Sequence, residues 1–205
     1  MPSPNVYKVD IAETFYHVYA RGASKQKIFI ESSDYYYFLG LFQRYLSLKP
    51  KLSKTGIIYP HYRGSVEILC YCLMSNHFHL VIYQKDQGVM KKLMHSIMTS
   101  YSRYFNIKYK RSGPLFETQY KASRIDKDNY LTHISRYIHL NPHLWRNYRY
   151  SSLKYYLGDK SPDWLQTEKV TELFDGVGDD YLKFVSDYQE NKQMIDQLKH
   201  ELANG

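Results

Sequence analysis

Two runs of β-forming residues, Val66–Leu73 and His77–Tyr83, are separated by Met74-Ser75-Asn76 alone, and this closeness constrains the fold more than any other feature. A gap that short admits a hairpin and no crossover, so the two runs must pair antiparallel. An earlier run, Thr14 to Ala20, alternates and is rich in β-formers, and Arg21-Gly22 closes it. Between them the spacing of Phe38, Leu41, Phe42 and Tyr45 predicts a helix from about Asp34 to Leu48, capped by Ser32 or Ser33. After the hairpin, Met90, Leu93, Met94, Ile97 and Tyr101 form the apolar face of a second helix, from Gly88 to about Asn106. A fourth strand is expected within Phe116–Ile125, then a helix from Asp126 to about Leu140, halted by Asn141-Pro142. The order β-α-β-β-α-β predicts an α+β fold: a ferredoxin-like (RRM-like) antiparallel sheet with helices on one face. Further helices are expected C-terminally, over Ser151–Leu157, after Pro162, and from Asp179 to about Leu202.

Charge is distributed unevenly along this plan. Residues 1–158 carry 23 basic and 9 acidic side chains, whereas residues 159–205 carry 5 basic and 11 acidic. The expected organisation is therefore a basic body over residues 1–158 and an acidic helical extension over residues 159–205, joined near Gly158–Pro162. A basic body suggests a polyanionic partner, and the 23 tyrosines supply aromatic faces on which single-stranded nucleic acid can stack. The two cysteines, Cys70 and Cys72, share one face of an apolar strand and read as buried reduced thiols. With no signal segment and no run of roughly 20 apolar residues, a cytoplasmic protein without a membrane partner is expected.

The candidate chemistry lies in two segments. On a strand, His77 and His79 project from one face while Phe78, Leu80 and Ile82 enter the core from the other. Two imidazoles so placed can converge on one divalent cation, although an isolated His-x-His is more often two surface histidines. On the helix that ends at Asn141-Pro142, Leu131, Ile134 and Ile138 form an apolar stripe, and His133, Tyr137 and Asn141 stand beside it at intervals of four. A phenol with an ordinary pKa of about 10 is a poor nucleophile unless its target is polarised and positioned. A cation held by His77 and His79, with Asn141 as an oxygen ligand, would do both.

These residues resemble a known family. His77-Phe78-His79 after Leu73-Met74-Ser75-Asn76, Gly113-Pro114-Leu115-Phe116 with Tyr120-Lys121, and Tyr137-Ile138-His139-Leu140-Asn141-Pro142 look like the single-tyrosine HUH transposases. That family includes insertion-sequence single-strand transposases and REP-associated tyrosine transposases. The resemblance runs from about Phe15 to about Ser152. It implies that Tyr137 is the nucleophile, that His77, His79 and Asn141 bind Mg²⁺ or Mn²⁺, and that single-stranded or hairpin DNA is nicked and rejoined through a 5′-phosphotyrosine. It also admits a homodimer, since in family dimers the tyrosine helix can complete the partner's site. One departure is Ala20-Arg21-Gly22, where members often carry Asn-Arg-Gly; Arg21 remains available to a phosphate. Lys110, Arg111, Lys121 and Arg124, around the fourth strand, are candidate contacts to the DNA backbone. Two other readings are a hairpin-binding protein without cleavage, and a nuclease activating water, which would tolerate Tyr137→Phe.

Overall fold

The computed structural model of the chain describes residues 10–126, 128–174 and 178–187. Four strands form one antiparallel sheet: β1 (Thr14–Arg21), β2 (Val66–Met74), β3 (His77–Gln84) and β4 (Lys121–Ile125), in the spatial order β2-β3-β1-β4. This is the ferredoxin-like order. The hairpin turn is Ser75-Asn76, one residue tighter than expected. β4 is shorter than expected because Leu115, Phe116 and Tyr120 bury their side chains in the core, so the chain touches β1 only at the Gly22–Phe116 bridge before pairing begins.

The period-two alternation of the strands divides the molecule into two apolar layers. Tyr16, Val18, Tyr71, Leu73, Phe78, Leu80 and Ile82 face α1 (Ser32–Leu46) and α2 (Val89–Lys108), the helices expected on one face. Leu69, Cys70, Cys72, Val81 and Ile125 face the other way and are covered by α3 (Asp128–His139). Both cysteines are buried and free. Three shorter helices follow: α4 (Leu153–Tyr156), α5 (Glu168–Thr171) and α6 (Asp179–Ser186). Residues 188–205, which include most of the helix expected to run to Leu202, lie outside the described residues. None of the described helices is long and apolar enough to cross a membrane.

The first layer is pinned by Asp34, a fully buried carboxylate in the first turn of α1. Its oxygens accept the backbone N–H groups of Ile30 and Glu31 at 2.9 Å each, the Tyr109 hydroxyl at 2.7 Å and the Lys108 ammonium at 2.7 Å. Burial alone would raise the Asp34 pKa; the Lys108 ammonium and the other donors outweigh it and hold the pKa below the ordinary 3.8. A depressed folded-state pKa contributes stability that is complete above the unfolded value and lost as pH falls through the folded one. Asp34→Ala is expected to cost about 3 kcal/mol, since it strips a helix cap and leaves buried donors unpaired. Urea midpoints measured at neutral pH and at pH 3 test this: the gap between wild type and variant should narrow in acid.

The second layer ties α6 to α3. His139 is completely buried, its Nδ1 lying 2.7 Å from the Tyr181 hydroxyl and its Nε2 2.7 Å from Ser152 Oγ. Tyr181 also donates to Ser135 Oγ at 3.0 Å. Arg136, equally buried, stacks on Phe184 at 4.2 Å and donates to its carbonyl at 3.2 Å. These residues flank Tyr137 in sequence, so the orientation of the tyrosine's helix is set by contacts on its far side.

Candidate active site

His77 and His79 stand at the turn end of β3, on the face covered by α3. Tyr137 is in the last turn of α3, and Asn141 lies two residues beyond its end. All four side chains line one cavity of about 440 Å³, together with His17, Tyr19, Arg21, Glu117, Thr118 and Lys121. A single chain thus assembles the whole set, with the Tyr137 ring edge-on to His79 at 5.6 Å and to His17 at 6.1 Å.

The hydrogen bonds within the cavity define which atoms are available. Asn76 Oδ1 lies 2.7 Å from His77 Nδ1, and Asn141 Oδ1 lies 3.1 Å from its Nε2. A neutral imidazole carries one N–H, so only one of these oxygens can accept it; when Asn76 does, the Nε2 lone pair faces Asn141 Oδ1. Two acceptors this close repel unless a proton or a cation serves both. Protonation is disfavoured, because burial, and more weakly the Arg21 charge, keeps the His77 pKa below 6.5 despite the Asn141 contact. Burial, followed by His17, His77 and Arg21, holds His79 well below 6.5 too. Adjacent octahedral ligands at the ordinary Mg²⁺–oxygen distance of about 2.1 Å stand about 3.0 Å apart, so the His77–Asn141 pair suits a divalent cation. Among the described residues no group of three or more His, Cys, Asp or Glu could hold a metal. A cation here would therefore take two imidazoles and an amide oxygen, a neutral set that leaves positions for water and phosphate.

Tyr137 is half-buried, and burial raises its pKa above 10; Arg21 and an Asn141 hydrogen bond partly oppose that rise. Arg21 is exposed at the end of β1, and Gly22 behind it is required by a close approach: a Cβ there would lie 2.2 Å from the Gln26 carbonyl oxygen. Ala20 is buried among the α1 and α2 contacts and also borders the cavity that holds His77 and His79.

Of the cations singled out in the sequence, Arg21 and Lys121 line the cavity. Arg124 sits on the opposite face of β4, paired with Asp126. Lys110 and Arg111 lie just beyond the C-terminal end of α2, where Arg111 stacks on Phe105 at 5.6 Å. His133 does not join Tyr137 and Asn141: its Nδ1 lies 2.7 Å from the Arg136 guanidinium, and its ring packs on Phe184. Sequence reasoning missed His17 and Tyr19. The alternation of β1 already put both on one face, but their nearness to His79 depends on the β1–β3 register, in which Tyr19 pairs with His79. A second, open groove of about 940 Å³ runs between α2 and residues 113–120 and shares Glu117 and Thr118 with the first cavity.

The ferredoxin-like sheet thus presents two imidazoles, an amide and a tyrosine to one cavity. Residues 57–141 match the family described as "Transposase IS200 like", a segment that contains His77, His79, Tyr137 and Asn141. Over that segment the chain is similar to the IS200-like transposases. Its fold is similar to that of a REP-associated tyrosine transposase bound to a REP hairpin, with a TM-score of 0.54 at 11% identity over 78% of this chain and 89% of the other. A putative transposase from Deinococcus radiodurans R1 also matches, at TM-score 0.38 and 12% identity over 67% and 95% of the two chains. No curated protein matches.

Proposed function

We propose that this chain nicks and rejoins single-stranded hairpin DNA through a covalent link to Tyr137. The observation that carries the reading is the convergence of Tyr137, Asn141, His77 and His79 on one cavity within one chain. His77, His79 and Asn141 would hold Mg²⁺ or Mn²⁺, which when bound neutralises and polarises a DNA phosphate. Tyr137 Oη attacks phosphorus; the Oη–P bond forms as the P–O3′ bond breaks, the phenolic proton is lost, and the 3′ oxygen leaves as a hydroxyl. Attack by a 3′-hydroxyl on the phosphotyrosine reverses these changes and joins strands, with no external energy source. Arg21 favours the phenolate electrostatically, and the Asn141 side chain holds the hydroxyl in the cavity. Arg21 and Lys121, at the cavity wall, suit the strand's phosphates. Lys91 and Lys92, lining the adjoining groove, extend that basic path.

The test is incubation with end-labelled single-stranded hairpin DNA and Mn²⁺, followed by a denaturing gel. A protein–DNA band that survives denaturation and requires Mn²⁺ is expected. Cut DNA without such a band would defeat the tyrosine mechanism, and binding without cutting would favour a hairpin-binding protein.

A further inference from the structure

His17 is completely buried in the middle of β1, and its Nε2 lies 2.9 Å from His79 Nδ1. Its other nitrogen, Nδ1, has no hydrogen-bond partner among the described residues, so the contact to His79 is the single polar role of this ring. The two rings are nearly coplanar, inclined by 13°, which suits an in-plane hydrogen bond between them. At 2.9 Å two facing lone pairs, or two facing N–H groups, would repel, so one proton lies between the two ring nitrogens.

That proton has two possible owners, with opposite consequences for the cavity. If His17 Nε2–H donates, His79 must carry its own hydrogen on Nε2, and that nitrogen has no lone pair for a cation. If His79 Nδ1–H donates, the lone pair of His79 Nε2 is free to ligate, and His17 keeps its hydrogen on the unpartnered Nδ1. We infer that His17 is a positioning residue, which accepts the His79 Nδ1–H and thereby fixes the tautomer and ring plane in which His79 can bind a divalent cation. A metal-bound histidine commonly donates its second N–H to a carboxylate, a backbone carbonyl or water. Here the acceptor is another imidazole. Its cost is an unsatisfied N–H inside the protein, a burden a merely structural residue would have no reason to bear. Phenylalanine would fill the same volume without that burden.

The inference rests on the reading that His79 ligates the cation, and the experiment separates the two. In ¹⁵N-labelled wild-type protein saturated with Mg²⁺, long-range ¹H–¹⁵N correlations should show both His79 and His17 protonated on Nδ1. A His79 protonated on Nε2 under those conditions would overturn the inference, and this measurement needs no variant to fold. In Mn²⁺ titrations followed by electron paramagnetic resonance, His17→Phe should raise the Kd by about 10- to 100-fold. His17→Gln, whose amide oxygen can accept the same N–H, should recover most of the loss. If His17→Phe binds Mn²⁺ as wild type does while His79→Ala does not, His17 has no positioning role. If His79→Ala also binds normally, the metal site itself is misassigned and the inference falls with it.

Discussion

Replacing Tyr137 by phenylalanine is expected to reduce hairpin nicking by about 10⁴-fold or more while leaving the fold and the Mn²⁺ affinity intact. The variant loses one oxygen. Its ring, which packs edge-on against His79 and His17, is retained, so the walls of the cavity stay in place. The hydroxyl is not a structural group whose loss would strand many partners; it hydrogen-bonds to Asn141. Losing a covalent nucleophile removes the step it performs, and in enzymes that act through one, such losses reach about 10⁶-fold. A 10⁴-fold loss corresponds to about 5.4 kcal/mol of transition-state stabilisation. Single-turnover cleavage of labelled hairpin DNA, with circular dichroism and Mn²⁺ titration as controls, measures both halves of the expectation. Retained cutting would assign the attack to water and leave His77 and His79 as parts of an ordinary metal-dependent nuclease.

Tyr181→Ala is expected to destabilise the whole protein by about 4 kcal/mol and to slow strand transfer, although Tyr181 belongs to α6 and does not line the cavity. Tyr181 is 1% exposed and packs on Tyr156, Phe174 and His139. Truncation would open a cavity there and leave His139 Nδ1 without the hydroxyl it meets at 2.7 Å. Because His139 and Arg136 bracket Tyr137 on α3, loosening their far-side contacts should widen the range of positions the nucleophile samples. α6 thus packs on the far side of the helix that carries Tyr137. Denaturant unfolding followed by tryptophan fluorescence distinguishes the outcomes. A single shifted transition is expected; an unchanged main transition, with only a minor early phase, would mean that the extension folds apart from the body.

The β4 boundary and the two cavity residues the sequence did not reveal have a common origin. Alternation locates a strand's faces, because successive side chains must point oppositely, and so Phe78, Leu80 and Ile82 could be assigned to the core while His77 and His79 were assigned elsewhere. It does not say where a strand stops when apolar residues continue past its end. Leu115, Phe116 and Tyr120 are as apolar as strand residues, yet they serve the core from an irregular segment. A periodicity of four likewise put His133, Tyr137 and Asn141 in one row. The row splits in the fold because α6 packs at its N-terminal end and captures His133 through Arg136 and Phe184.

What the amino-acid sequence by itself determined is the order of elements, the antiparallel hairpin, the pairing of His77 with His79 on one strand face, and the one-turn spacing of Tyr137 and Asn141. All of these follow from local periods, in which each residue's direction is fixed by its neighbours along the chain. The tertiary structure alone decided that α3 lies on the histidine face rather than beside α1 and α2. It also decided that His77 Nε2 meets Asn141 Oδ1 at 3.1 Å, and that a buried histidine from β1 stands behind His79. Those facts depend on strand register and on which apolar stripe covers which sheet face. Both are settled by contacts between residues more than sixty positions apart, which no local pattern encodes.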